Sequence, residues 1–233
     1  DAQAAADRAI NTLLDIRHKV WGKSPVTPSS FRGVAKLGFS WQGDDVLPFQ
    51  GNENLARVLL KLFEIYRSEQ LVCLVQEMVP DVVCEFRVLC FHDAAAGHGQ
   101  YRRHCLWMGM HGKGYHHNHK SSCEVKDFQL TSAHAQQDGN VAADKFFGGD
   151  HSARDEAQAA AEELVDRWLL WLTTECGNPV PVARMDFLVS RHGGDGGGPA
   201  VWTCEVGECG ASLCSVECDA RNCAVLNWAV ESH

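Results

Sequence analysis

The sequence predicts an α+β fold with mostly antiparallel sheets, on three observations. Ala153–Thr174 is rich in Ala, Glu and Leu at helical spacing and is closed by Gly177 and Pro179. Several short runs read as strands: Leu71–Met78 is almost continuously apolar, and Cys84–His92 alternates. The last two strands, Val182–Ser190 and Ala200–Val206, flank a Gly-rich stretch, His192–Pro199, and read as a hairpin.

The elements follow in order. Residues 3–20 form a helix with Ala9, Ile10, Leu13, Leu14 and Val20 as its apolar stripe. Ser24–Ser30, with two prolines, is a linker, and Phe31–Leu37 is a short strand leading into the loop Gly38–Asp45. Asn54–Arg67 is an amphipathic helix, because Leu55, Val58, Leu59, Leu62, Phe63 and Tyr66 recur at its period. Pro80 and Asp81 turn the chain between two strands, and Arg103–Met110 is one more strand. From Gly112 to Gly149 the sequence is polar and weakly patterned, so a long loop is expected. In the long helix, Leu164, Trp168 and Trp171 mark the apolar side.

Composition excludes several classes. The chain has 233 residues, 45% hydrophobic and 22% charged, an ordinary globular make-up long enough for a sizeable core. A formal charge of -9 opposes nucleic-acid binding and binding to anionic membranes. No stretch approaches the roughly 18 apolar residues of a membrane span. The chain begins with Asp rather than Met and shows no signal-peptide core, which reads as a processed or partial product.

The 11 cysteines include no CxxC pair, so neither a zinc ribbon nor a thioredoxin-like motif is expected. Free, mostly buried thiols in a reducing compartment, cytoplasm or organelle stroma, are the favoured reading. His116, His117 and His119 cluster in a polar segment that reads as an exposed loop in preference to a metal site.

Chemistry concentrates in the hairpin. Asp186 lies among apolar neighbours on the first strand, and Glu205 lies on the second before a glycine. Acids in apolar strands are costly unless they meet a cation. Two carboxylates from adjacent strands make a hard-oxygen site suited to Mg²⁺ and phosphate. The other reading is two strand residues facing solvent on an edge hairpin. Lys36 ends a strand before a Gly-bracketed loop, where a lysine reaches phosphates while loop amides cover them. Leu74–Val79 ends in a polar pair, Gln76 and Glu77, then an apolar pair, Met78 and Val79, as a hinge beside an adenine would. Glu85 stands between Cys84 and Phe86, where a carboxylate accepts ribose hydroxyls.

In this order the pieces resemble the ATP-grasp family of carboxylate–amine or carboxylate–thiol ligases, from about Phe31 to Ser212. The resemblance implies two α+β lobes with mostly antiparallel sheets clasping a nucleotide: a small lobe over 31–80 and a large one over 81–233, after an N-terminal helix and linker over 1–30. It implies ATP and Mg²⁺ as cofactors and a small-molecule carboxylate with an amine or thiol as substrates. Lys36 would bind phosphate, Gln76, Glu77, Met78 and Val79 the adenine, and Glu85 the ribose. Arg184 would lie near the transferred phosphate, Asp186 on Mg²⁺, and Glu205 on the strand supplying the other metal ligands.

Two departures stand out. Gly207 occupies the family's metal-binding Asn position, with Glu208 next to it as a candidate third ligand. An adjacent strand residue points the other way unless a bulge re-aims it. Only about 30 residues precede the Lys36 strand, where the family has a whole domain and a further nucleotide-binding lysine. Lys19 or Lys23 would have to stand in. A non-catalytic subunit of a larger protein assembly is therefore the rival expectation to a ligase.

Overall fold

A computed structural model describes residues 1–22, 26–38, 46–66, 72–93, 100–109, 141–191 and 197–207. The described residues are α+β, with two antiparallel sheets, and fall into two compact units, one over Asp1–Val79 and one holding the described residues from Pro80 on.

The first unit opens with helix α1, Ala2–Trp21. Asp1 caps it, its side chain accepting from the Gln3 amide at 2.9 Å, and Gly22 ends it in the left-handed region. Its buried side runs through Ala6 and Ile10, with Leu13 and Leu14 partly buried. Val20 is exposed, so the stripe stops a turn earlier than its spacing predicts. Arg17 takes the next inward position and pairs with Glu77.

Strands β1 (Arg32–Leu37), β2 (Val46–Gln50) and β3 (Cys73–Glu77) form an antiparallel sheet in the order β2-β1-β3. Helix α2 (Asn52–Tyr66) joins β2 to β3. Leu55, Leu59 and Leu62 of α2 pack with Ala6 and Ile10 of α1 against Ala35, Leu37, Leu47 and Phe49. Burying such side chains contributes on the order of 2 kcal/mol each. Phe63, expected on this stripe, is exposed. β2, Val-Leu-Pro-Phe-Gln, carries a proline, which is tolerated in few strand positions. It is an edge strand, where a missing N–H costs little, and Leu47 and Phe49 still alternate inward. Gly33 lies across from Phe49: a Cβ on Gly33 would stand 2.4 Å from the ring and 2.5 Å from the Gln76 carbonyl oxygen. Helix α1 belongs to this unit rather than standing apart as an N-terminal segment.

The second unit holds β4 (Val82–His92), β5 (Tyr101–Gly109), helix α3 (141–147), helix α4 (His151–Cys176), β6 (Val182–Ser190) and β7 (Ala200–Gly207). The sheet order is β5-β4-β6-β7, antiparallel throughout. Helix α3 lies at the end of the segment expected to be all loop; Ala142, Ala143, Phe146 and Phe147 are its buried side. Helix α4 is capped by Asp150, whose carboxylate accepts from the Ala153 amide at 3.0 Å, and by Gly177.

The buried stripe of α4 is Ala157, Ala161, Val165 and Leu169, four residues apart. It is not the expected Leu164–Trp168–Trp171 side. Small residues let the helix lie close to Phe86, Val88, Met185 and Phe187, while the tryptophans sit at its margin. Trp168 donates through Nε1 to Thr203 Oγ1 at 3.1 Å, and Trp171 is exposed. Among the described residues no helix is long and apolar enough to cross a membrane.

Candidate functional site

Strand alternation sorts the second sheet into two faces. Cys84, Phe86, Val88 and Cys90 of β4 and Ala183, Met185, Phe187 and Val189 of β6 belong to the core that α4 joins. Glu85 and Arg87 of β4, and Arg184 and Asp186 of β6, therefore share the opposite face. In the ladder Arg87 lies directly across from Asp186, and Asp186 directly across from Glu205. A row of three charged residues thus crosses three strands.

Glu205 reaches that face through a bulge. From Ser190↔Ala200 to Phe187↔Thr203 the β6–β7 register is regular, and it shifts before Asp186↔Glu205. Cys204 is the extra residue. Period-two counting from Val201 and Thr203, both on the α4 side, would send Glu205 into the core beside them. The bulge turns it outward and returns Val206 to the core.

The five side chains form one bonded network. Arg87 grips Asp186 with both arms of its fork, Nε to Oδ1 at 2.8 Å and Nη2 to Oδ2 at 2.9 Å, and Nη2 also donates to Glu85 Oε1 at 3.2 Å. Arg184 Nη2 donates to Asp186 Oδ2 at 2.9 Å and to Glu205 Oε2 at 3.3 Å. Those two oxygens, held on one nitrogen, are no further apart than the two bonds laid end to end. Asp186 is 3% exposed and Arg184 8%. The Glu205 side chain is 51% exposed, so the network meets solvent at β7.

Three carboxylates face two guanidinium groups, a formal excess of one negative charge. Burial pushes the Glu85 carboxyl above its ordinary range, and the Asp186 charge adds to the rise, while Arg87 and Arg184 oppose it. In chemical terms an excess of carboxylate favours a cation, and guanidinium groups favour anions.

The remaining candidates lie in the first unit. Lys36 pairs with Leu74, and Gln76 with Val34, so Lys36 and Gln76 share the sheet face opposite α1 and α2. Glu77 points the other way and pairs with Arg17 of α1. The Met78 amide donates to the Arg32 carbonyl at 3.0 Å, extending the β1–β3 ladder, and Val79 ends the unit. Of the expected hinge, Gln76 has its side chain on the Lys36 face; the carboxylate of Glu77 and the amide of Met78 have partners within the fold.

Glu208, Lys23, the residues of the expected phosphate loop beyond Gly38, and His116, His117 and His119 lie outside the described residues. Among the described residues no group of three or more His, Cys, Asp or Glu side chains is arranged to hold a metal ion. Sequence reasoning missed Arg87. Its signal was present: Glu85 and Arg87 are two apart in an alternating strand, so they share a face.

No protein-family profile matches the chain, and no characterised protein matches it in sequence.

Proposed function

We propose that this chain is an ATP-dependent ligase of the ATP-grasp type, with its phosphate and magnesium site on the charged face of β4, β6 and β7. The observation that carries the reading is the direct pairing of Asp186 with Glu205 on one face, beside Arg184 and Arg87. The donor set suits the ion in kind: Asp186 and Glu205 offer hard oxygens from neighbouring backbones, and Glu205 is open to solvent. Asp186 and Glu205 would hold Mg²⁺, with Glu208 as a third candidate. The ion would supply charge neutralisation at the phosphate oxygens.

The protein's own groups account for the rest of the chemistry. Arg184 is fixed by Asp186 and Glu205, so its guanidinium is oriented before a phosphate arrives, and preorganised charge is what phosphoryl transfer requires. The resemblance would give Lys36 and Gln76 of the first unit to phosphate and base, and Glu85 of the second to ribose. The reaction would convert a carboxylate to an acyl phosphate, from which an amine or thiol displaces phosphate. The cysteine usage supports an intracellular, reducing setting.

A second reading, a catalytically degenerate subunit of a larger assembly, is favoured by Gly207. It lies across from Arg184, where the family has an Asn ligand, and carries no side chain. Calorimetric titration of ATP with and without Mg²⁺, on wild type and Asp186→Asn, tests nucleotide binding. Mg²⁺-dependent binding lost in the variant supports a nucleotide site; no binding in either protein removes the ligase reading and leaves the subunit.

A further inference from the structure

The Arg87–Asp186 contact leaves an incoming cation little to bind. The two oxygens of Asp186 already accept three N–H bonds, two from Arg87 and one from Arg184, all between 2.8 and 2.9 Å. A carboxylate has about four lone-pair sites, so most of its capacity is used. Both arms of the Arg87 fork bond the oxygens of Asp186 that a metal ion would have to share. Arg87 also has a second acceptor, Glu85 Oε1 at 3.2 Å on its own strand.

Resting on the magnesium-phosphate reading above, we infer that Arg87 is a built-in counter-ion. It holds Asp186 when no metal is bound and swings toward Glu85 and the ligand's phosphates when a metal–polyphosphate enters.

The physical logic is exchange of one cation for another. A buried carboxylate without a partner is costly, so the fold keeps a guanidinium on Asp186. A divalent ion arriving alone must displace that guanidinium from Asp186 and brings no new acceptor for it. An ion arriving with a polyphosphate brings acceptors that the freed fork can bind through two bonds. Metal alone is then disfavoured, and metal and polyphosphate reinforce each other. Arg87 is a positioning residue, and it selects for the complex over either component.

The test uses the full chain, with Mn²⁺ as the ion and inorganic tripolyphosphate as the polyanion. Free Mn²⁺ is followed by electron paramagnetic resonance for wild type, Arg87→Gln, Arg87→Lys and Asp186→Asn, each checked for fold by circular dichroism. With Mn²⁺ alone, Arg87→Gln should bind about tenfold more tightly than wild type, because close charge pairs couple by more than one factor of ten. With tripolyphosphate present the advantage should vanish or reverse, because the second role of Arg87 is then missing. Arg87→Lys, which keeps the charge but not the fork, should fall between and serves if Arg87→Gln does not fold. Equal Mn²⁺ affinity in wild type and both Arg87 variants, with loss in Asp186→Asn, overturns the counter-ion role and leaves the metal site standing. Absence of any Asp186-dependent Mn²⁺ binding, even with tripolyphosphate, overturns the metal site and this role with it.

Discussion

Asp186 and Glu205 face each other across β6 and β7 because the ladder changes register between them and the hairpin tip. The residue that absorbs the change is Cys204. In a regular ladder, deleting one residue turns everything on one side of it to the opposite face. At a bulge the deletion restores the regular ladder.

Deleting Cys204 should therefore leave Glu205 across from Asp186, Val206 in the core and Thr203 on the α4 side. The expected loss of stability is about 1 kcal/mol or less, within the range of substitutions that break no core contact. Urea unfolding of the deletion variant checks this. A loss of several kcal/mol would mean that Cys204 holds the register rather than filling a gap in it.

Arg87 and Asp186 form a two-armed ion pair in which Arg87 is partly buried and Asp186 buried, with side chains 16% and 4% exposed. Removing one partner of such a pair costs about 3–5 kcal/mol, while replacing both by apolar groups is often close to neutral. Arg184 still holds one oxygen of Asp186, so Arg87→Met should fall near the lower end. The double change Arg87→Met with Asp186→Leu should recover most of the loss. Denaturant midpoints of the two single variants and the double variant give the coupling.

Much of this architecture was legible. Leu55, Leu59 and Leu62 repeat at helical spacing and are the buried side of α2. The β6–β7 hairpin showed itself by two strand runs about a Gly-rich tip. The misses have physical causes. β2 was not assigned, and its Pro48 fits a strand only at an edge. The tryptophans of α4 drew the predicted stripe away from Ala157 and Ala161, because hydrophobic weight is not the same as closeness of approach. Asp186 and Glu205 were singled out from the sequence, yet their pairing depends on a bulge for which Thr203-Cys204-Glu205 carries no local signal. Arg87 was in view beside Glu85 and needed only the period of two.

Stability should depend on pH through Glu85. Its carboxyl is raised above the ordinary value of 4.5 by burial and by the Asp186 charge. The folded state therefore holds this proton more tightly than the unfolded chain does. That contribution is fully present below the ordinary value and is lost as pH rises through the folded one. Relative to Glu85→Gln, the wild type should lose stability as pH rises from about 4.5. Unfolding curves for both proteins between about pH 4 and 8 check the sign; parallel profiles would show that Glu85 titrates normally.

Cys84 and Cys90 face the α4 core, and burial pushes both thiols up to about 12. Only thiolate reacts, so both should resist alkylation in the folded protein at neutral pH. The six described cysteines are free. Denatured, non-reduced protein should yield nearly all 11 cysteines of the chain as thiols. Peptide mapping after labelling in each state distinguishes the sites, and four or more bridges would place the protein in an oxidising setting.

The hinge reading separates two neighbouring residues that the sequence treats as a pair. Gln76 shares a sheet face with Lys36, whereas Glu77 points toward α1 and pairs with Arg17, both side chains being mostly buried. If the Lys36 face receives a nucleotide, Gln76→Ala should weaken ATP binding by about 1 kcal/mol, as the loss of one neutral hydrogen bond does, and leave stability nearly unchanged. Glu77→Ala should do the reverse. Leaving Arg17 without its carboxylate should cost about 1–3 kcal/mol of folding stability, while ATP affinity measured well below the melting temperature should hold. Glu85→Ala, in the second unit, should lower ATP affinity by about 1–3 kcal/mol through a lost charge-assisted contact. Calorimetric ATP titrations paired with denaturant curves give both axes for each variant. A Gln76 variant that binds ATP as wild type does would remove the base assignment without touching the acid cluster. A Glu77 variant that loses ATP affinity while remaining fully stable would show that its carboxylate, and not Gln76, reads the ligand.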